Sequence, residues 1–145
     1  MRVKAFLFAL CSILLLGACG TPKTGGTVYN IMDYGAKGDG VTDDAAAIQT
    51  ATDQCSKSGG GTVLVPAGRT FMCSPFHLAS FVELHLEPNS CLLANPDEAA
   101  YTLSAFRDNR GEGMMWIYGQ DLKEVSITGT GTIDGNGVSF MGKEL

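Results

Sequence analysis

An all-β fold with one short helix near its start is the fold class this sequence predicts, on three observations. The chain has 19 glycines among 145 residues, heavy for an ordinary globular core and suited to a chain that turns often. Beyond Gly68 the apolar residues come in short runs, none long enough for an amphipathic helix, and each is closed by turn chemistry such as Pro75, Ala79-Ser80 or Pro88-Asn89. One helical pattern precedes them and feeds directly into the first β-rich run, as a cap on a β structure would.

The first residues are an address. Arg2 and Lys4 precede an apolar run over residues 5–16, short for a bilayer span and suited to a secretory signal. Leu16-Gly17-Ala18-Cys19 follows at once and is similar to a bacterial lipobox, in which the cysteine is lipidated and becomes the new N-terminus. The alternative is an ordinary cleaved signal with Cys19 merely nearby. The expected organisation is a signal peptide over 1–18, a flexible Gly/Thr-rich tether over 19–27 and the β domain over 28–145. An exported protein held to a membrane through Cys19, in the periplasm or at the cell surface, follows. Loss of Arg2 and Lys4 takes the formal charge from -5 to -7. With no basic run and no aromatic-basic interleaving, nucleic acid is not an expected partner.

Residues 33–68 read as loop, helix, glycine break, strand and turn. Gly35, Gly38 and Gly40 mark the loop. Thr42 is placed to cap a helix whose first turn carries Asp43 and Asp44, where carboxylates meet the positive end of the helix dipole. Ile48, Ala51, Thr52 and Cys55 share one helical face. Gly59, Gly60 and Gly61 end the helix, and residues 62–65 form a strand stopped by Pro66 and Gly68. Further strands are expected over 70–74, 76–78, 82–86 and 91–94, then over 116–118 and 125–128, with a short one around Ile133. Hairpins and a solenoid both fit this pattern, because the separators lack the Asn-Gly or Asp-Gly signal of tight hairpins. Residues 95–115 interrupt it as a long excursion, with Arg107 and Arg110 as its cations. Those arginines are expected to be solvated or to pair with Asp108 and Glu112, with recognition of carboxylates on a ligand as the alternative.

Several groups invite a chemical reading. Asp43 and Asp44 are adjacent at a helix start, and neighbours of that kind do not stand on opposite sides of a substrate as a general acid and a general base must. A helix-capping role is expected, with a hard-cation site including Asp39 as the alternative. Cys55, Cys73 and Cys91 remain after the leader and the lipidated cysteine are set aside, and a Cys55–Cys73 bridge and buried thiols are both open. These cysteines with His77 and His85 match no standard zinc spacing, so no metal is expected. Alternation puts His85 beside Glu83 on the face opposite Val82, Leu84 and Leu86. Gly129 to Gly137 is not a dinucleotide fingerprint, having a misplaced third glycine, and Asp134-Gly135 is expected to turn.

Together D-Y-G-A-K-G-D-G-V-T-D-D (33–44), A-I-Q (47–49), G-G-G-T-V-L-V-P-A-G (59–68), H-L (77–78), V-E-L-H-L-E (82–87), I-Y-G (117–119) and T-G-T-G-T-I-D-G-N-G (128–137) resemble the opening of the polygalacturonase-type glycoside hydrolases of family 28. The resemblance covers nearly all of the chain after its leader. It implies a right-handed parallel β-helix, first coils only, with a short capping helix at its N-terminal end. It also implies a pectic polysaccharide substrate, hydrolysed with inversion at galacturonic acid or rhamnogalacturonan linkages, no cofactor, and a monomer when full length. The family's Asn-x-Asp, Asp-Asp, Gly-His-Gly and Arg-x-Lys segments have no counterpart here, so no catalytic residue carries over. The chain is therefore expected to be an N-terminal portion, inactive alone. A lyase on the same scaffold, using calcium, and a non-catalytic polysaccharide-binding β-helix are the alternatives.

Overall fold

The computed structural model describes residues 26–105 and 114–140. The leader, Cys19, most of the tether, Arg107, Arg110 and residues 141–145 lie outside the described residues.

Among the described residues ten short strands visit three sheets in turn, the first circuit returning from the second sheet to the first without a strand in the third. The first sheet holds β1 (Val28–Asn30), β3 (Gly61–Val65), β6 (Val82–Leu86) and β9 (Ser126–Gly129). The second holds β2 (Asp39–Asp43), β4 (Thr70–Cys73), β7 (Cys91–Ala94) and β10 (Thr132–Asp134). The third pairs β5 (Phe76–His77) with β8 (Ile117–Tyr118). Every strand pair in the three sheets is parallel. A chain that returns to the same sheet after each circuit, always parallel, is a solenoid and not a set of hairpins. The fold is a right-handed parallel β-helix.

Strand alternation sends one set of side chains inward. Val63, Leu84, Phe71 and Leu92 are each 0% exposed, and the registers Val63↔Leu84 and Phe71↔Leu92 stack them coil on coil. Phe76 and Val65 belong to the same core. Over its N-terminal end lies α1 (Ala45–Lys57). Its buried face is Ala47, Ile48, Ala51, Thr52 and Cys55, packed against β1, β3 and β5. The helix ends where expected, with Gly59 and Gly60 at φ 92 and 101.

The helix start differs from the expectation. Thr42 is no N-cap: it lies in β2, and its hydroxyl donates to Asp39 Oδ2 at 2.7 Å. Asp44 occupies the N-cap position without a side-chain capping bond, and neither acid sits in the first turn. The reason is competition for acceptors. The Asp44 carboxylate, only 2% exposed, turns back to accept the Lys37 and Gly38 N–H groups at 2.6 and 3.0 Å. Gly38 has φ +62, and a Cβ there would press on the Phe71 ring at 2.7 Å, so the loop needs both a glycine and a buried acceptor. Asp43 accepts from Ala45 N–H at 3.0 Å and from Ser74, N–H at 3.0 Å and hydroxyl at 2.5 Å, tying the helix start to the second sheet.

Cys55 and Cys73 are buried free thiols, and Cys91 is a half-buried one. Burial pushes the Cys73 thiol up to about 12. Between β7 and β8 the excursion carries a 3-10 turn, Glu98–Ala100, capped by Asp97, and an antiparallel bridge between Ser104 and Met114. A single helical turn, α2 (Gly137–Phe140), follows β10.

Candidate functional site

Polar side chains gather in two places. On the outer face of the first sheet, β6 presents Glu83 and His85 while Val82, Leu84 and Leu86 face the core, the alternation expected from the sequence. Register places Thr62 beside Glu83 on one side and Thr128 beside His85 on the other. Glu83 Oε2 accepts the Thr62 hydroxyl at 3.0 Å, and Oε1 accepts the Thr128 hydroxyl at 2.6 Å. These hydroxyls, Thr128 first, hold the Glu83 carboxyl below its ordinary range. His85 Nδ1 lies 2.8 Å from Thr128 Oγ1 and 3.7 Å from Glu83 Oε1. Since the Thr128 hydrogen is spent on Glu83, its oxygen accepts from His85, and Nδ1 carries the proton. In the neutral ring Nε2 is then an acceptor.

The second cluster joins α1 to the third sheet. Gln49 Oε1 accepts the His77 N–H at 2.9 Å, and Gln49 Nε2 donates to Asp53 Oδ1 at 2.9 Å and lies 3.0 Å from His77 Nε2. His77 Nε2 is 3.4 Å from Asp53 Oδ1, and its ring sits 6.0 Å from that of Tyr118, tilted by 48°. This arrangement locks β5 to the capping helix.

The acids of the first coil serve the backbone. Asp39 accepts from Thr42 and Val41, and these bonds, Thr42 N–H first, lower its carboxyl to about 2. For Asp43, burial pushes the carboxyl upward, but Ser74 and the Ala45 N–H outweigh it and leave it lowered. Asp134 accepts the Asn136 N–H at 2.8 Å in a turn. His77 and His85 stand on different sheets, and among the described residues no three His, Cys, Asp or Glu side chains gather as a metal would require. Thr62 and Thr128, the partners that fix Glu83 and His85, were not singled out in the sequence. They lie 21 residues before Glu83 and 43 after His85, a spacing with meaning only once the coils are stacked.

Parallel coils under a helical cap, with an excursion between the second and third sheets, agree with the comparison to known families. The model described as rhamnogalacturonase A/epimerase, pectate lyase-like, matches residues 28–135, from β1 through β10. The chain belongs to this family. Within it, a probable polygalacturonase of Vitis vinifera is 34% identical over 120 residues, covering 74% of this chain and 24% of that protein. The exopolygalacturonase of Thermotoga maritima superposes with a TM-score of 0.65 at 34% identity, over 79% of this chain and 26% of that one. Alginate lyase 7 of Azotobacter vinelandii is 62% identical over 40 residues, covering 28% of this chain and 5% of that protein. The chain thus spans about a quarter or less of the length of these relatives.

Proposed function

We propose that this chain forms the N-terminal coils of an exported glycoside hydrolase that cleaves pectic polysaccharide by inverting hydrolysis at galacturonic acid or rhamnogalacturonan linkages. The observation that carries the reading is the breadth of likeness to polygalacturonases, which extends over 74% of the chain in the Vitis protein and 79% in the Thermotoga enzyme. The alginate lyase likeness is higher in identity but confined to 40 residues, a stretch too short to carry a substrate with it. Inverting hydrolysis needs one carboxylic acid to protonate the leaving oxygen and one carboxylate to activate water, about 6.5–9.5 Å apart. Asp39, Asp43, Asp44 and Asp134 are engaged with backbone donors, so in this reading the pair comes from outside the described coils, and these coils supply the scaffold alone. Cys19 is acylated and holds the protein to the periplasmic or outer cell surface, with residues 19–27 as tether.

The test compares unlipidated residues 19–145 with the product of the complete reading frame. The shorter protein should release no reducing ends from polygalacturonic acid or rhamnogalacturonan, and the longer one should release them. Turnover by the shorter protein that disappears in Asp43→Asn or Asp134→Asn overturns the assignment, as does a complete product inert on both polymers. For the anchor, Cys19→Ala should abolish fatty-acid labelling and free the protein from the membrane fraction. Unchanged labelling ends that part of the reading.

A further inference from the structure

Three of the four first-sheet strands, β3, β6 and β9, are entered through a residue with left-handed backbone. Gly60, Phe81 and Glu124 hold that corner in successive coils, at φ 101, 67 and 51, immediately ahead of residues in register with one another. The corner leaving the first sheet uses Gly68 and Asn89, at φ 71 and 61. Glycine and asparagine are what this conformation selects, and a bulky aromatic residue is the outlier. Phe81 is nevertheless only about half buried, 44% exposed. Its structural duties belong to the backbone: the Phe81 N–H donates to Lys123 O at 2.9 Å, and its carbonyl accepts the Gly61 N–H at 3.1 Å. Any residue could make those bonds, and asparagine would make them with less strain. A ring kept exposed at a conformational cost points to work done by the ring itself.

Its surroundings say what that work is. β6 begins at the next residue, and Glu83 and His85 stand on its outer face. Their side chains are 38% and 36% exposed. Each Glu83 oxygen takes one threonine hydroxyl, which fixes its direction while leaving further acceptor capacity toward solvent. His85 Nε2 is an additional acceptor. A flat apolar surface beside a row of pre-oriented acceptors is complementary to a sugar ring, which has an apolar C–H face and hydroxyl donors on its edge. Glu83, with Glu124 at the next corner, outnumbers Lys123 and disfavours an anionic ligand.

We propose that Phe81, at the corner leading into β6, together with Glu83 and His85 on the outer face of the first sheet, forms a binding site for a neutral saccharide, with Phe81 stacking on the sugar ring and Glu83 and His85 accepting from its hydroxyls. The site does not depend on the hydrolase reading.

The test titrates the product of the complete reading frame with galactotriose, xylotriose and cellotriose, and separately with trigalacturonate, by calorimetry. At least one neutral trisaccharide should bind. Phe81→Asn should weaken it about tenfold, the scale of one lost aromatic contact, while the melting temperature stays the same or rises. Glu83→Gln should weaken it several-fold. Trigalacturonate binding should be the same in both variants and the parent, whether or not the protein turns over a polymer. The proposal is overturned if no neutral trisaccharide binds, if affinity survives Phe81→Asn, or if Phe81→Asn lowers the melting temperature, which would make the ring part of the fold.

Discussion

The same inward column is dry at one end of the described coils and wet at the other. Leu84 is 0% exposed, but its register partner one coil on, Ile127, is 47% exposed. Leu92 is likewise 0% exposed and its partner Ile133 is 42% exposed. Side-chain type and strand geometry are alike, so the difference is the neighbour. Val63 and Leu84 lie between α1 and a further coil, whereas among the described residues nothing equivalent lies over Ile127 and Ile133. Stability in a solenoid comes from nearest-neighbour stacking, and each apolar residue contributes only when its neighbour is in place. In this molecule the capping helix does for the first coil what a coil does for the others.

The largest test of that comparison is to break the cap. Ile48, 0% exposed on the helix face, would as Ile48→Asp carry an unpaired charge against the first coil. A loss of roughly 4 kcal/mol or more is expected in urea denaturation, and an unchanged midpoint would show that the helix does not cover the core. The columns come next. In the protein of residues 19–145, Leu84→Ala should cost about 2–5 kcal/mol, and Ile127→Ala under about 1 kcal/mol because the side chain is already half in water there. Equal losses would mean that both coils are equally covered in solution.

What the sequence displayed follows the same division between local and stacked interactions. Val82–Leu86 and Cys91–Ala94 could be placed to the residue because apolar alternation and flanking turn chemistry are local signals. The buried face of α1 was legible for the same reason. By contrast β2, Asp39–Asp43, has no buried side chain and a register irregularity. It is a strand only because β4 offers it a partner, and nothing in D-G-V-T-D announces that. Phe81 and Glu124 turn corners without any turn-forming residue type, so local pattern left hairpins and a solenoid equally open. The resemblance to known hydrolases closed that question. Asp44 was misread because a carboxylate at a helix start has two possible customers, and only the fold shows the Lys37–Gly38 loop within reach.

That loop offers the next measurement. Asp44→Ala would leave the Lys37 and Gly38 N–H groups without their acceptor beneath the first coil, and a loss of about 2 kcal/mol is expected by thermal or urea melting. Asp44→Asn keeps one acceptor oxygen and should fall between parent and alanine. If Asp44→Ala melts with the parent, the loop draws its satisfaction from water and the buried carboxylate is dispensable.

The smallest expected effect lies on the outer face, where Glu83 links the covered coils to the exposed one through Thr62 and Thr128. Its carboxyl is held below the usual value of 4.5 by those two hydroxyls, so the folded state binds its proton less readily than the unfolded chain does. Stability from this source is therefore complete above about pH 4.5 and is lost as pH falls through the lowered folded value. Asp39 and Asp43 are lowered too and act in the same direction, so the parent's acid sensitivity alone cannot isolate Glu83. The informative quantity is the difference between the parent and Glu83→Gln. Because the Glu83 side chain is 38% exposed, solvent screening keeps that difference below about 1 kcal/mol. It should appear at pH 7 and shrink as pH falls below 4.5 and through the lowered folded value, where the parent's own carboxyl becomes neutral. A difference that persists unchanged into acid would show that glutamine fails to fit the clamp for steric reasons, and that the charge is not what joins these coils.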